Sequence, residues 1–331
     1  MKKKYQVVGI GNAMVDILSH VKDEFLAENG VEKGIMQLID MQRAVELYDH
    51  MGPAQEISGG SAANTIAGIA ALGGRTAYVG KVKDDQLGAI FAHDLRAQGA
   101  VYQTPFAPKI DSHETGRCMV LVTSDSERSL NTYLGVSESL GPDDIDTAMM
   151  AEAEWLYLEG YRFDGAKSKA AFAKAVTACK NAGGRVSLTL SDPFCVERHR
   201  DDFHEMISDH VDLLFCNVHE MQAMYPADSL EQSLKLAANE VEIVVCTASE
   251  DGAYILNGGG LEHAHAQPVD IVDATGAGDL FASGFLYGLT AGFDMLTCGR
   301  MGCIAAAEVI SHIGARPETD LMELFREHGL V

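Results

Sequence analysis

The second half of the chain alternates short apolar runs with segments of helical periodicity, and no other sequence feature constrains the fold as strongly. Strands are predicted at residues 155–158, 185–190, 212–216 and 242–246, and helices between them at residues 167–180, 196–207 and 229–237. Short apolar strands separated by helices are typical of parallel β-α-β units, with helices on both faces of the sheet. Residues 276–311 are predicted to be almost entirely helical. We therefore expect an α/β fold around a central, mostly parallel sheet.

The first third of the chain breaks this rhythm. Strand patterns at residues 15–20, 34–39, 55–58, 116–123 and 128–134 lie on either side of the segment 59–97. We predict that they form a small separate sheet, built from two insertions at about residues 15–58 and 101–135. Such a sheet would act as a lid over a site on the main sheet. The whole chain, residues 1–331, is then one domain with a lid.

The chain is strongly acidic, with 48 Asp and Glu residues against 25 Lys and Arg residues and a net charge of −23. This charge repels phosphate backbones and anionic lipids, so nucleic-acid polymers and membranes are not expected as partners. No signal peptide or membrane-spanning run is apparent, and the seven cysteines show no CxxC spacing. These features favour a cytoplasmic protein without disulfides or a zinc site. Monomer and homodimer both remain open.

The segment 273–279, with the sequence DATGAGD, carries the strongest chemical signal. Gly276, Ala277 and Gly278 directly precede a helical run, so the N–H groups of a helix N-terminus are left free to bind a phosphoryl group. Asp279 lies in the first helical turn, where its carboxylate is placed to accept a proton from an attacking hydroxyl. The alternative is that the glycines form a tight turn and that Asp279 is an ordinary acid at a helix start.

Two further segments point to ligand binding. In the first, GGSAAN, Gly59 and Gly60 allow the backbone to approach a ligand closely. Ser61 is expected to cap a helix of small residues, and Asn64 offers its amide one turn later; capping alone would also explain this segment. In the second, residues 217–220 (NVHE) directly follow a buried strand. An Asn and a Glu three positions apart on a helix share a face, so they are predicted to hold waters around Mg²⁺.

Segment 9–14, with the sequence GIGNAM, follows a strand as a dinucleotide-binding fingerprint does, but Met14 replaces the third glycine. Asp16 also falls too early for the acid that binds ribose in that motif. A nicotinamide oxidoreductase is therefore disfavoured. The Gly-Lys-Ser/Thr of a P-loop is missing as well, so ATP would have to be bound in another way.

Segments 273–279 and 59–64 resemble the two signatures of the PfkB (ribokinase-like) family of carbohydrate and nucleoside kinases, with Ala274 where threonine is commoner. The NVHE segment is similar to the NxxE motif of that family. The likeness extends over the whole chain and points to the adenosine kinase branch through segments 11–16, 23–26, 188–194 and 211–217. It implies a ribokinase-like fold, in which a central, mostly parallel sheet has helices on both faces and a small β-sheet lid. It also implies ATP and Mg²⁺ as cofactors.

The resemblance further implies which residues bind the acceptor. Asp16 would grip the hydroxyls of a sugar, and Phe194 would stack on a purine. Where the branch often has a second stacking phenylalanine, this chain has Arg162, which would stack by its guanidinium plane or serve a more polar acceptor. Met14, Cys118 and Leu134 would form apolar walls. The complete acceptor set is Asn12, Met14, Asp16, Gly59, Gly60, Ser61, Asn64, Cys118, Leu134, Arg162 and Phe194.

On the nucleotide side, Thr247 and Gly252 would approach the phosphates or ribose of ATP. Arg128 is similar to a basic residue that neutralises the transferred phosphate, although a solvated strand charge explains it equally well. Asn217 and Glu220 would act on Mg²⁺ through water. A K⁺ site near Asp273 and Thr275 is left open. The complete nucleotide set is Asn217, Glu220, Thr247, Gly252 and Arg128.

We therefore expect ATP-dependent phosphorylation of the primary 5′-hydroxyl of a nucleoside, with adenosine giving AMP. The γ-phosphate would transfer in line, with Asp279 as general base and the amides of Gly276, Ala277 and Gly278 as the anion hole. A sugar kinase of the same family, of the ribokinase or fructokinase type, is the alternative. A non-catalytic nucleoside-binding protein is more remote, because such a protein would have lost the base.

Overall fold

The computed structural model describes residues 2–125, 127–165 and 167–331. Its strands are Tyr5–Ile10 (β1), Met14–His20 (β2), Met36–Leu38 (β3), Gln55–Gly59 (β4), Thr76–Val79 (β5), Val101–Tyr102 (β6), Gly116–Val122 (β7), Arg128–Tyr133 (β8), Ala153–Glu159 (β9), Arg185–Thr189 (β10), Leu213–Asn217 (β11), Ile243–Thr247 (β12), Ala253–Asn257 (β13) and Gly260–Ala264 (β14). Its α-helices are Asp23–Glu28 (α1), Met41–His50 (α2), Ser61–Ala71 (α3), Gln86–Ala97 (α4), Thr147–Ala151 (α5), Ser168–Asn181 (α6), Pro193–His210 (α7), Val218–Met224 (α8), Leu230–Ala237 (α9), Ala277–Ala291 (α10), Met295–Ile310 (α11) and Leu321–Glu327 (α12).

The larger sheet has nine strands in the order β14-β13-β12-β11-β10-β9-β1-β5-β6. The strands from β12 to β6 run parallel to their neighbours, while β13 and β14 form an antiparallel hairpin at one edge. Successive residues of a strand point to opposite faces. Val8 of β1 thus packs in a core with helices α5 to α9, and Val7 packs in a second core with α3, α4, α10 and α11. Burial on both faces explains why these strands are continuous apolar runs.

The smaller sheet has five strands in the order β3-β8-β7-β2-β4 and comes from two separate parts of the chain. β2 pairs in parallel with β7 and antiparallel with β4, and β7 pairs antiparallel with β8. One face is covered by α1 and α2, through contacts of Ile17, Met119 and Tyr133. The opposite face, formed by the even-numbered residues of β2, β7 and β8, is called the lid face below. The apolar residues of the lid face pack with Ile313, which follows α11.

The predicted strands are confirmed to within two residues at each end, and the five strands predicted for the lid form one separate sheet. The second insertion starts later than predicted. Val101–Tyr102 pairs with β5 in the larger sheet, so this insertion contributes to the smaller sheet only from Gly116 onward. Helices α1, α2, α4, α5 and α12 were not predicted from the sequence. Strands β5 and β6 and the hairpin that β13 forms with β14 were not predicted either. Within the described residues, no helix is both long and apolar enough to cross a bilayer.

Candidate active site

Polar side chains gather where the parallel strands of the larger sheet end. Asn12 follows β1, Glu159 ends β9, Asn217 ends β11 and Thr247 ends β12. Because these strands are parallel, their carboxyl ends lie at the same edge of the sheet, where ligands bind in open α/β sheets. The space between this edge and the lid face is called the cleft below.

The turn before α10 has the conformation that an anion-binding helix start requires. Gly276 has φ +80°, and a Cβ on it would lie 2.7 Å from the Cβ of Ala315, so only glycine fits. Around the α carbon of Gly278, by contrast, a Cβ would meet no atom within 4 Å among the described residues. The first N–H groups of a helix have no partner within that helix. The N–H of Ala277 makes one long hydrogen bond, to the backbone oxygen of Ala274 (3.4 Å). The N-terminus of α10 is otherwise open on the side of Gly278 and suited to an anion.

The side chain of Asp273 fixes the conformation of the turn before α10. Its buried carboxylate accepts hydrogen bonds from the backbone N–H of Thr275 (2.9 Å), the hydroxyl of Thr275 (2.5 Å) and the backbone N–H of Gly314 (3.0 Å). These bonds tie the turn to the segment that follows α11. Asp273 and Thr275 are therefore engaged with the protein itself, and the K⁺ site near them stays a prediction.

Asp279 lies on the first turn of α10 and is held by two donors from α3. The hydroxyl of Ser61 donates a 2.7 Å hydrogen bond to Oδ1, and the amide of Asn64 donates a 2.9 Å hydrogen bond to Oδ2. Burial raises the pKa of Asp279 above its ordinary value, and these two hydrogen bonds oppose the shift. A carboxylate that is partly exposed, fixed in position and more basic than usual is suited to take a proton from a hydroxyl.

The expected capping role of Ser61 is wrong. The N-cap of α3 is Gly60, no side chain caps this helix, and the hydroxyl of Ser61 bonds to Asp279 instead. Gly60 has φ +94°, and a Cβ on it would lie 2.2 Å from the backbone oxygen of Asn12. The two glycines therefore bring the chain out of β4 and into α3 by a path that no larger residue permits.

Asp16 reaches the cleft from the lid face. Gly59 lies directly against its carboxylate, since a Cβ on Gly59 would lie 2.2 Å from Oδ2. Burial raises the pKa of Asp16 to about 7, and the positive charge of Arg316 opposes this shift. The negative charge of Asp279 raises the same pKa. Gly59, which lies against Asp16, is two residues before Ser61, whose hydroxyl bonds to Asp279.

The predicted apolar walls lie together on the lid face. Met14, Cys118 and Leu134 belong to one apolar cluster, in line with Asp16 on the same face. The hydroxyl of Thr132 donates a hydrogen bond to the sulfur of Cys118 (3.2 Å). Burial raises the pKa of the Cys118 thiol well above its ordinary value, which disfavours its thiolate form. Its role as a wall of the acceptor site stays a prediction.

Asn12 and Arg162 are not presented to the cleft as predicted. Asn12 is 2% exposed; its N–H donates to Glu159 (3.1 Å), and its side-chain oxygen accepts from the hydroxyl of Ser137 (2.8 Å) and from Arg162 Nη1 (2.9 Å). Arg162 is 1% exposed and also donates to the backbone oxygens of Ser137 (2.7 Å) and Leu140 (3.1 Å). Both residues join two segments of the main chain. One is the segment at Asn12, just before the first insertion, and the other is the segment near Ser137, just after the second insertion. Neither is free to stack on a base.

Glu159 belongs to this framework and was not predicted. It is 1% exposed, and its second carboxylate oxygen accepts a 2.8 Å hydrogen bond from the backbone N–H of Ala62. Burial raises the pKa of Glu159 to about 7, while its two backbone donors oppose the shift. The only sequence signal was a charged residue at the end of an otherwise apolar strand. Glu159 therefore links the end of β1 to the start of α3.

Phe194 is exposed, as a base-stacking residue needs to be. It lies at the start of α7 and is 53% exposed. Asp192 caps this helix by accepting hydrogen bonds from the N–H groups of Phe194 (2.9 Å) and Cys195 (3.0 Å). Ser191, which precedes the cap, has φ +72°, and the N–H of Asp192 bonds to the backbone oxygen of Leu190 (2.9 Å). This tight, strained turn sets the direction in which Phe194 leaves the sheet edge.

Asn217 and Glu220 bind each other at the start of α8. Asn217 Oδ1 accepts from the N–H of Glu220 (2.9 Å), and Glu220 accepts from the N–H (3.0 Å) and the amide (2.6 Å) of Asn217. Burial raises the pKa of Glu220 to about 7. The described residues contain no group of three or more His, Cys, Asp or Glu side chains suited to a metal.

The three other residues predicted to bind the nucleotide, Thr247, Gly252 and Arg128, lie in different parts of the structure. Thr247 ends β12 beside Asn217, and its hydroxyl donates to the backbone oxygen of Cys216 (3.4 Å). Gly252 has φ +95°, and a Cβ on it would lie 2.1 Å from the backbone oxygen of Ala264, so the turn itself requires glycine there. Arg128 begins β8 on the lid face. Its positive charge opposes the rise in pKa of both Asp16 and Asp279, and its contact with a phosphate stays a prediction.

Arg316 is a second residue that was not predicted. It follows Gly314 and Ala315, which pack under the turn before α10, and its charge also acts on Asp16 and Asp279. Burial lowers the pKa of Arg316 to about 10, so its side chain is charged at neutral pH. A lone arginine beside a proline offered no pattern from which this position could be recognised.

Several known proteins are similar to this chain in sequence and fold. A family model described as pfkB family carbohydrate kinase matches residues 34–321. The fold is similar to the crystal structure of a probable sugar kinase from Rhizobium etli, with 46% identity, a TM-score of 0.96, and coverage of 99% of this chain and 100% of the other. It is similar to adenosine kinase from Sinorhizobium meliloti, with 45% identity, a TM-score of 0.94, and coverage of 98% and 99%. A 5-dehydro-2-deoxygluconokinase from Shouchella clausii is 30% identical over 76% of this chain and 80% of its own length.

Proposed function

Because this chain belongs to the pfkB family of carbohydrate kinases, and so phosphorylates a hydroxyl group of a sugar or nucleoside, we propose that its acceptor is a nucleoside, with adenosine preferred. The product would then be AMP, formed by transfer of the γ-phosphate of ATP to the primary 5′-hydroxyl. The observation that carries the catalytic part is the position of Asp279. Its carboxylate is fixed by Ser61 and Asn64 at the mouth of an open helix N-terminus.

The proposed chemistry is an in-line displacement. The carboxylate of Asp279 takes the proton of the 5′-hydroxyl as its oxygen forms a bond to the γ-phosphorus. The bond from that phosphorus to the oxygen bridging it to the β-phosphate breaks, and ADP leaves with the bonding electrons. The N–H groups of Gly276, Ala277 and Gly278 hold the charge on the transferring phosphoryl group.

The residues that would hold a bound metal lie at the start of α8. Asn217 and Glu220 stand at the end of β11, and each keeps oxygen lone pairs that can accept hydrogen bonds from water. They would orient waters of a bound Mg²⁺, which supplies positive charge to the β- and γ-phosphates. Arg128 would approach the same phosphates from the lid face when the lid closes.

The choice of a nucleoside rests on the apolar side of the cleft. Asp16 can accept hydrogen bonds from two neighbouring hydroxyls, but it would serve a free sugar equally well. Phe194 offers an exposed aromatic face, and Met14, Cys118 and Leu134 form one apolar wall. Stacking a base on an aromatic side chain contributes about 1–3 kcal/mol. The likeness to the Sinorhizobium meliloti adenosine kinase supports this choice.

A sugar kinase is the second candidate. The Rhizobium etli protein and the Shouchella clausii enzyme support it, and so does the general ability of Asp16 to hold sugar hydroxyls. The finding on Arg162 weakens one argument for a polar acceptor, because its guanidinium is bonded within the protein. It weakens the nucleoside case as well, since Arg162 cannot replace a second stacking ring.

An acceptor screen decides between the two. The purified protein is incubated with ATP, Mg²⁺ and one acceptor at a time, including adenosine, other nucleosides, ribose and fructose, and ADP release is followed. We expect the highest kcat/KM with adenosine. A higher value with ribose or fructose would reassign the acceptor to the sugars. Binding of adenosine without ADP release from any acceptor would instead identify a nucleoside-binding protein.

A further inference from the structure

Arg316 joins three elements that meet beside the cleft. Its Nε donates to the backbone oxygen of Ser58 in β4 (3.2 Å), and its Nη1 donates to the backbone oxygen of Ala63 in α3 (2.9 Å) and to Oε1 of Gln98 after α4 (3.1 Å). Ser58 immediately precedes Gly59, where the chain leaves the lid. The side chain thus ties the exit of the lid to the helix that supplies the partners of Asp279.

The charge of Arg316 is not neutralised by these partners. All three acceptors are neutral oxygens, and Nη2 is buried without a hydrogen-bond partner among the described residues. Arg316 as a whole is partly buried, and a partly buried guanidinium acts over a longer range than an exposed one, because less water screens it. Its charge favours the ionised forms of Asp16 and Asp279.

We propose that Arg316 is a positioning residue for phosphoryl transfer, which holds the junction of β4 and α3 and supplies the fixed positive charge that offsets Asp16 and Asp279. The inference rests on the proposed function. Arg316 acts through other groups and is not placed to touch the acceptor, because its nitrogen atoms are directed into the protein.

Other charged groups around the two carboxylates leave this task to Arg316. Asp16 is faced by Asp279 and Asp273, which are negative, and by Arg128, which is positive. Further groups that share this electrostatic environment are Glu159 of β9, Glu220 of α8, Asp94 of α4, Tyr78 of β5, Tyr157 of β9 and Tyr161. Arg128 belongs to the lid and would move with it. Arg316 follows α11 and is bonded to α3, the helix whose Ser61 and Asn64 hold Asp279.

The test compares Arg316→Gln and Arg316→Lys with the wild type, using the acceptor that the wild type phosphorylates. In Arg316→Gln we expect the acid limb of the kcat profile to move upward by about one pH unit, since one nearby charge is lost. Arg316→Lys keeps the charge but not the fork of donors, so its acid limb should stay and its KM for the acceptor should rise. A folded Arg316→Gln with the acid limb of the wild type would overturn the proposal.

Arg75→Gln is the matched control. Arg75 precedes β5 at the opposite edge of the sheet, where its Nε donates to the backbone oxygen of Lys4 (3.0 Å). Its loss removes one positive charge of the same kind far from the cleft. We expect the pH profile of this variant to match that of the wild type. An equal shift in this control would mean that net charge, and not the position of Arg316, sets the profile.

A second measurement does not depend on activity. The folded-state pKa of Asp16, about 7, lies above its ordinary value of 3.8. Between these two pH values the folded protein binds more protons than the unfolded chain. The protein therefore loses stability as the pH rises from the lower value to the higher one. Arg316→Gln should widen this window, giving a larger fall of Tm between about pH 5 and pH 8. Asp16→Asn in the same background should remove part of the extra fall. Equal falls in wild type and Arg316→Gln would overturn the proposal.

These readouts separate the two claims. If none of the acceptors in the screen causes the wild type to release ADP, the proposed function fails. The Tm comparison still decides the role of Arg316 in that case. If Arg316→Gln does not fold, Arg316→Lys decides. A higher KM with the acid limb and Tm profile of the wild type supports the proposal, and a shifted acid limb contradicts it.

Discussion

Asn64 donates a 2.9 Å hydrogen bond to the carboxylate of Asp279, although 215 positions separate the two residues in the chain. The bond joins the start of α3 to the start of α10, and Ser61 adds a second bond of 2.7 Å between the same helices. Both donors belong to the first turn of α3, which the two glycines before it bring to the cleft. The carboxylate of Asp279 is thus placed by two distant segments that fold against each other.

Replacing Asn64 by leucine should therefore weaken the base. The amide stabilises the ionised carboxylate, so its loss raises the pKa of Asp279 further. A hydrogen bond to a charged group contributes about 1.5–3 kcal/mol, so kcat at pH 7 should fall by roughly 10- to 100-fold. Raising the pH should restore part of this loss.

Thr65→Val is the matched control for that experiment. The hydroxyl of Thr65 donates to the backbone oxygen of Asp279 (3.1 Å) and not to its carboxylate. This variant removes a bond between the same helices without removing a donor to the base. Its pH–rate profile should keep the midpoint of the wild type. A midpoint shift as large as that of Asn64→Leu would show that helix position alone determines the profile.

Acceptor binding should depend on the ionisation of Asp16. Its pKa is raised to about 7, so the carboxylate forms as the pH increases through neutrality. The KM of the wild type for its acceptor should consequently fall between about pH 6 and pH 8. Asp16→Asn should raise KM by roughly 10- to 100-fold, because hydroxyls lose a charged acceptor, and should remove that pH dependence.

Asp40→Asn serves as the control for Asp16. Asp40 is an exposed residue of the first insertion that caps α2 by accepting a bond from the N–H of Arg43 (2.8 Å), and asparagine caps helices equally well. This variant also loses one carboxylate near the lid. Its KM should show the pH dependence of the wild type; a KM for Asp16→Asn no higher than that of Asp40→Asn would remove Asp16 from the acceptor site.

Phe194→Ala should discriminate between acceptors. Since the ring is 53% exposed, its removal should change the free energy of unfolding little. Losing a stacking contact of about 1–3 kcal/mol should raise KM for adenosine by roughly 5- to 150-fold and leave KM for ribose almost unchanged. Leu261→Ala, at an apolar residue that is 51% exposed on β14, is the control. Equal effects on both acceptors would exclude stacking of a base on Phe194.

The lid should be protected by its ligand. We expect the acceptor to slow hydrogen exchange in β2, β7 and β8 more than in β12, which lies within the larger sheet. Exchange of the amides is followed by mass spectrometry with and without acceptor. Uniform protection of all strands, or none in the smaller sheet, would show that this sheet does not close over the cleft.

The parts of the fold that follow from local pattern were predictable. The five strands of the smaller sheet and strands β1, β9, β10, β11 and β12 of the larger sheet appear as apolar or alternating runs. The segment before Asp279 is a contiguous motif whose chemistry depends on adjacent residues. Its partners were harder to assign. Ser61 looked like a helix cap because capping is local, whereas its contact with Asp279 depends on how α3 packs against α10.

Residues that act through distant contacts were missed or misassigned. Glu159 and Arg316 each join segments that are far apart in the chain, and neither lies in a recognisable pattern. Arg162 was assigned to the acceptor by its position after β9. In the structure its guanidinium is bonded within the protein, because Asn12 and Ser137 turn their oxygen atoms toward it. Such partners are set by tertiary packing and not by sequence spacing.

The most direct test of the account is the turnover of Asp279→Asn compared with Asp294→Asn. Both aspartates lie at the start of a helix, but Asp294 caps α11 at the end remote from the cleft, where it accepts a bond from the N–H of Thr297 (2.9 Å). With the acceptor that the wild type uses, kcat of Asp279→Asn should fall by roughly 10²- to 10⁴-fold while ATP still binds, and Asp294→Asn should turn over normally. Turnover of Asp279→Asn close to that of the wild type would contradict its role as the general base.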